Sequence, residues 1–341
     1  MDVSYDRLVH GLPESDSPTV TTLPDGSVDQ YCTLSGSEAV SLDTRESFGR
    51  EIRSDRSSFQ FHVDTVEPGG QAVNAARQLH ALGDRVTCYG HLDAAVFESL
   101  PFETVSMGDP STVYVFTFDD RDVMFVRNSA VADWTLADLR RIADLSAVFG
   151  GDAVCCSNWD SIPGLEQAFH RLGQKDLPRL PFVFDPGDIV DRDEIEIEAL
   201  HDALAALQDT FDVVFNANRG EVRATADPLS ESVEDDIDRL AAIREATGIT
   251  AAAMHARDEA AAATSEGTRR VENYRIERPE RHTGGGDRFT GGLAHALACG
   301  WDWETALACG NACAAYYVET GDSAATDDLV RFVEERPAVG S

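Results

Sequence analysis

Short apolar runs and amphipathic stretches take turns along this chain. Thr19–Leu23, Val86–Gly90, Ala153–Ser157, Pro181–Asp185, Asp212–Asn216 and Ile249–Met254 are brief runs that read as strands. Between them, Gln71–Leu82, Leu136–Leu145, Gly164–Leu172, Asp193–Leu207 and Val233–Thr247 carry the spacing of helices. Three helices close the chain, at Asp287–Ala298, Trp303–Val318 and Thr326–Glu335. This alternation predicts an α/β fold, a mostly parallel sheet covered by helices on both faces. Right-handed crossovers then bring the loops after the strands to one sheet edge, where ligands bind.

Two segments break the rhythm. Ser27–Val63 holds strand-like pieces without a crossover helix, and Val113–Val126 reads as a hairpin turning at Asp119-Asp120-Arg121-Asp122. Together they predict a small β-sheet lid formed by about 27–63 and 110–128. No internal repeat or low-complexity linker divides the chain, so residues 1–341 are expected to form a single domain.

Charge changes the picture more than hydrophobicity does. Acidic residues number 61 against 28 basic ones, a net charge of −33, spread along the whole length. Such self-repulsion is screened over about 3 Å at molar salt, which points to the cytoplasm of a salt-accumulating halophile. Nucleic acid is not an expected partner, because no basic face is available to neutralise phosphates. The one lysine, Lys175, lies in Gly173-Gln174-Lys175-Asp176, which excludes a Walker A loop and disfavours a Schiff-base lysine. Seven cysteines show no CxxC spacing and read as reduced, buried thiols. Neither a signal peptide nor an apolar run long enough to span a membrane is present, so no membrane partner is expected.

The chemistry concentrates in Thr283-Gly284-Gly285-Gly286-Asp287, directly before an apolar helix. Bare backbone N–H groups at a helix N-terminus favour an anion. Asp287 is out of place in a plain anion site unless it takes a proton from an attacking hydroxyl. The other reading is an N-capping aspartate after a flexible turn. A second glycine pair, Gly69-Gly70, precedes another helix start and is followed by Asn74. No Gly-x-Gly-x-x-Gly follows the first strand, which argues against a dinucleotide-binding dehydrogenase.

Taken in order, these segments resemble the PfkB or ribokinase family of sugar kinases over most of residues 19–322. Gly69-Gly70…Asn74 is similar to the family's early Gly-Gly-x-x-x-Asn motif. Gly284-Gly285-Gly286-Asp287 is similar to its late Gly-Ala-Gly-Asp motif, with Thr283 matching the threonine before it. Gly26-Ser27-Val28-Asp29 resembles the segment whose aspartate binds sugar hydroxyls, and Asn218-Arg219-Gly220-Glu221 resembles the family's Asn-x-x-Glu. The resemblance implies a ribokinase-like three-layer sandwich with a β-lid. It implies a kinase moving the γ-phosphoryl group of ATP to a sugar hydroxyl. Asp287 would then be the general base and residues 284–286 the anion hole. Asp29, Gly69, Gly70 and Asn74 would bind the sugar. Asn218, Glu221, Thr283 and Asn311 would serve the nucleotide, with Asn311 by the adenine pocket and Glu221 holding Mg²⁺ through water. K⁺ is admitted as a further cofactor, and a homodimer paired through the lid is expected.

Two departures stand out. The family's Thr-x-Gly turn is replaced by His255-Ala256-Arg257-Asp258-Glu259, which makes Arg257 a candidate for gripping phosphates. A shortened loop, Gly90-His91-Leu92-Asp93, leaves Asp93 as a lesser site candidate. For the acceptor, the arginines of Arg45–Arg56 either pair with Glu46, Glu51 and Asp55 on an exposed lid or turn inward to a phosphate already on the substrate. Arg45 and Arg127 are the candidates for that second role, since arginine's fork suits the group. They favour a pentose or sugar phosphate, ribose 1-phosphate for instance. The other readings are a nucleoside kinase of the same family and a non-catalytic sugar- or nucleotide-binding module.

Overall fold

The computed structural model describes residues 3–36, 41–229, 235–281 and 283–336. Part of the expected lid (37–40), the start of the expected helix Val233–Thr247, and His282 lie outside the described residues. Among the described residues the main sheet has nine strands. Its parallel body consists of β1 (Thr19–Leu23), β4 (Arg85–Gly90), β5 (Glu103–Ser106), β8 (Ala153–Ser157), β9 (Pro181–Asp185), β10 (Asp212–Asn218) and β11 (Ala251–His255). Two antiparallel strands, β12 (Glu259–Thr264) and β13 (Gly267–Glu272), close one side, and the spatial order is β13-β12-β11-β10-β9-β8-β1-β4-β5.

Period-two alternation sorts the strand side chains onto two buried faces, as parallel sheets require. Phe182 and Phe184 of β9 pack with Leu165, Phe169, Leu200 and Leu204 on one side. Val183, between them, joins Val73, Leu79, Phe289 and Leu307 on the other. That second layer holds the helices Gln71–Ala81, Gly285–Ala298 and Trp303–Thr320. Contact there is close: a Cβ on Gly291 would lie 2.9 Å from the Ala75 carbonyl oxygen, and one on Gly292 would lie 2.9 Å from Cys313 Sγ.

The lid is a separate four-stranded sheet, ordered β3 (Phe61–Gly69), β2 (Ser27–Leu34), β6 (Ser111–Phe116), β7 (Val123–Arg127). It differs from the expectation in two ways. Between β2 and β3 the chain forms a helix, Arg45–Ile52, whose capping box is set by Thr44 and Ser47. β3 also runs past Val63 to Gly69, so the lid leads straight into the glycine pair. No helix among the described residues is long and apolar enough to cross a membrane.

Candidate active site

Polar side chains gather where the parallel strands end. Asp25 follows β1, Asn158 follows β8, and Asp185, Asn218 and His255 are the last residues or nearly so of β9, β10 and β11. They line a cleft of about 540 Å³ beneath the lid, facing the N-termini of helices Gln71–Ala81 and Gly285–Ala298.

The lid supplies one wall. Cross-strand register puts Asp29, Glu67, Val113 and Val126 side by side on its inner face, with Tyr31, Val115 and Met124 next to them. Ser27 Oγ donates to Asp29 Oδ1 at 2.5 Å. Burial, reinforced by the charge of Asp287, lifts the Asp29 carboxyl to about 6 against that hydrogen bond. Gly69 is required here: a Cβ would fall 2.1 Å from Asp29 Oδ2. Gly70 has φ of +99° and a Cβ there would lie 2.8 Å from Gly26 Cα, so both geometry and space call for glycine.

With glycine at its N-cap, helix Gln71–Ala81 has no side chain of its own to satisfy its first N–H groups. Asp25 does so from 46 residues away. Its Oδ1 accepts from Ala72 N at 2.7 Å, and its Oδ2 accepts from Gln71 N and from Asn158 Nδ2, both at 3.0 Å. Asn158 is a non-glycine residue held at positive φ, +68°. Desolvation still raises the Asp25 carboxyl above its usual range.

The opposite helix presents the glycine loop. Gly284 adopts the left-handed conformation at φ +83° as the N-cap of Gly285–Ala298, and no side chain caps that helix. Gly284 and Gly286 line the cleft, whereas Gly285 turns toward Val318 of the neighbouring helix. Asp287 is therefore not an N-cap. It lies in the first turn, and its Oδ2 accepts from Asn74 Nδ2 at 2.8 Å, across 213 residues. Burial lifts its carboxyl to about 6, opposed by the Arg288 guanidinium and by Asn74. Arg288 is itself only 1% exposed, stacks on Tyr317 at 4.0 Å and donates to Ser323 Oγ at 3.3 Å.

The far wall is acidic. Asn218 Oδ1 accepts from Gly220 N and Glu221 N, while Asn218 N donates to Glu221 Oε2 at 2.8 Å, a capping box that aims Glu221 into the cleft. Asp185 accepts from Gln71 Nε2 at 3.2 Å and Gly187 N at 3.0 Å. Burial, above all, holds both Asp185 and Glu221 well above the usual carboxylate range, and nearby carboxylates push each further.

Most motif residues converge: Asp29, Gly70, Asn74, Asn218, Glu221, Thr283, Gly284, Gly286 and Asp287 all line the one cleft. Thr283 also donates to Asp122 Oδ2 of the lid at 3.4 Å. Others are not brought there. Arg45 sits on the lid helix and pairs with Asp120 at 2.9 Å. Arg127 pairs in register with Thr112, on the lid face turned away from Val113 and Val126, and donates to Thr112 Oγ1 at 3.0 Å. Neither lines the cleft. Asn311 is fully buried behind the site, where it donates to Tyr5 Oη and to the Val271 carbonyl, and does not wall the cleft. Asp93 lines a separate shallow depression, and Arg257 is exposed outside the cleft. Motif reading missed Asp25, Asn158, Asp185 and His255. Their shared signal is position, a polar residue at the carboxyl end of a parallel strand.

The prokaryotic ketohexokinase family model matches residues 38–336. The ketohexokinase of Haloferax volcanii is 30% identical over 294 residues, covering 81% of this chain and 77% of that protein. Solved structures share the fold at lower identity. Ribokinase from Thermotoga maritima superposes with a TM-score of 0.68 at 14% identity, covering 93% of this chain and 99% of that one. A phosphofructokinase-2 mutant from Escherichia coli gives 0.68 at 17%, covering 93% and 97%. The nucleoside kinase of Methanocaldococcus jannaschii gives 0.66 at 15%, covering 94% and 99%. The chain, with its glycine loop, its buried carboxylate and its lid over one cleft, belongs to the prokaryotic ketohexokinase family of PfkB carbohydrate kinases.

Proposed function

We propose that this kinase phosphorylates a hydroxyl of a free ketohexose, fructose being the first to test. The hydrogen bond from Asn74 to Asp287 carries the reading, because it joins the sugar-side helix to the glycine-loop helix at one point. Asp29, Gly70 and Asn74 hold the sugar there. Its oxygen attacks the γ-phosphorus of ATP in line, the bond to the leaving diphosphate breaks, and the hydroxyl proton passes to Asp287. N–H groups at Gly284–Gly286 face the charge developing on the phosphoryl oxygens. The lid excludes water.

Mg²⁺ fits the donor set in one way. Among the described residues no group of three or more His, Cys, Asp or Glu could cage a metal. Mg²⁺ keeps several waters in such sites, so Glu221 would hold it through water, relieving the mutual repulsion of Glu221 and Asp185. When bound, it would neutralise phosphate charge.

Both Asp29 and Asp287 have carboxyls near 6. A base must be deprotonated to act, so kcat/KM is expected to fall as pH drops through about 6, more steeply than one group would give. An Asn74→Ala variant loses a hydrogen bond that favours the ionised Asp287, so its acid limb should move to higher pH. A pH–rate profile of both proteins checks the sign.

A coupled assay with Mg–ATP in high KCl, screening ketohexoses, pentoses, sugar phosphates and nucleosides, tests the acceptor; exchange of KCl for choline chloride tests K⁺. A sugar phosphate such as ribose 1-phosphate is the second reading. Arg77 favours it, since this cleft-lining cation has no hydrogen-bond or ion-pair partner among the described residues. Phosphorylation of sugar phosphates alone would replace the ketohexose reading, and nucleotide binding without turnover on any acceptor would favour a binding module. We further propose a cytoplasmic homodimer paired through the lid, whose Phe61, Val63 and Phe125 are 44–52% exposed. Sedimentation in high salt checks it.

A further inference from the structure

His255 is one of the cleft residues that no kinase motif accounts for. It ends β11 on the face shared with Ala251 and Ala253, turned toward helix Gly285–Ala298, and its ring packs 5.1 Å from that of Phe289. A Cβ built on Gly286 would lie 2.8 Å from His255 Nε2, so this nitrogen abuts the glycine loop.

A chain of hydrogen bonds settles which ring nitrogen carries hydrogen. Thr290 Oγ1 donates to the Gly286 carbonyl at 3.1 Å or to Asp185 Oδ2 at 3.4 Å, and with either acceptor its oxygen stays free to accept. Thr290 then accepts from Asn216 Nδ2 at 2.8 Å, which leaves Asn216 Oδ1 facing His255 Nδ1 at 3.4 Å. An amide oxygen only accepts, so Nδ1 is the protonated nitrogen and Nε2 presents a bare lone pair to the loop. A lone pair aimed at a phosphate oxygen is repulsive. Docking a phosphate on the loop therefore favours a proton on Nε2.

We infer that His255 takes up a proton when the nucleotide docks on Gly284–Gly286, and that Nε2–H then donates to a phosphoryl oxygen through the transfer step. The inference rests on the loop being the phosphate site. The proton comes from solvent on binding and returns to it on product release, so it is not the proton that Asp287 takes from the sugar. Acids that share the cleft with His255 include Asp25 after β1, Asp29 and Glu67 of the lid, Asp160 after β8, Asp185 on β9, Asp188 beyond it, Glu221 after β10 and Asp287 on the glycine-loop helix; its own loop adds the exposed Arg257 and Asp258. Burial holds the ring down to about 4, so it is neutral until the phosphates arrive.

The test is calorimetry of Mg–AMP-PNP binding to the full chain near neutral pH, in Tris and in PIPES, whose ionisation enthalpies differ. Wild type should take up about one proton more than His255→Gln or His255→Ala. The alanine variant should lose about 100-fold in kcat, as for one missing oxyanion donor, with partial recovery in the glutamine variant, whose amide N–H donates without protonation. Circular dichroism confirms that both fold. Equal proton uptake in all three proteins overturns the role of His255 while leaving the phosphate site standing. Failure of wild type to bind the nucleotide at all overturns the phosphate site itself, and the inference with it.

Discussion

Asp287→Asn should lower kcat about 10³-fold, roughly 4 kcal/mol of barrier, while leaving nucleotide affinity unchanged or improved. Asparagine keeps the shape and can still meet Asn74 across the 2.8 Å gap, so the helix N-terminus should stay in place. What disappears is the proton acceptor, together with a negative charge beside the phosphates. A structural aspartate would behave otherwise: activity would track stability, and substitution by asparagine would be mild. Steady-state kinetics with a nucleotide-binding measurement on the same variant separates the cases. A loss under tenfold would remove Asp287 from the role of base.

Asp25→Ala should be the most damaging substitution for stability among the cleft residues. It would strand the N–H groups of Gln71 and Ala72 and the side-chain amide of Asn158, all now bonded at 2.7–3.0 Å to a carboxylate only 3% exposed. Leaving several buried donors unsatisfied at a helix N-terminus costs about 3–5 kcal/mol, even after the desolvation of the charge itself is relieved. Because Gly70, Gln71 and Asn74 all belong to the start of that helix, the sugar KM should rise in whatever protein still folds. Chemical denaturation in high salt reads the first effect. A destabilisation below about 1 kcal/mol would mean that water replaces the carboxylate and that Gly70 needs no cap from a distance.

How far the fold was legible depends on the segment. β9 was plain, because Pro181–Asp185 is a continuous apolar run of the kind a strand buried on both faces must have. β12 was not, because Glu259–Thr264 is almost all alanine, a residue that favours helix and is depleted in strands. It is a strand because its neighbour β11 is also alanine-rich, and the small residues of Trp303–Thr320 pack over it. The lid helix Arg45–Ile52 escaped for a related reason: it buries no residue fully, so it shows no apolar stripe.

The site divides in the same way. Gly69-Gly70, Asn74 and Gly284–Asp287 could be picked out in one dimension, since their backbone demands and chemistry are local. Arg45 and Arg127 could not be placed that way. Arg45 has a partner 75 residues away on the hairpin, and the pairing of β6 with β7 turns Arg127 outward. Asp25, Asn158, Asp185 and His255 carry no motif and become a site only when five strands end at one edge. Local chemistry thus specified the glycine loops, Asp287 and the two helix starts. Long-range strand pairing decided which polar groups face those starts, because register and strand order set direction and distance between residues that the chain itself keeps far apart.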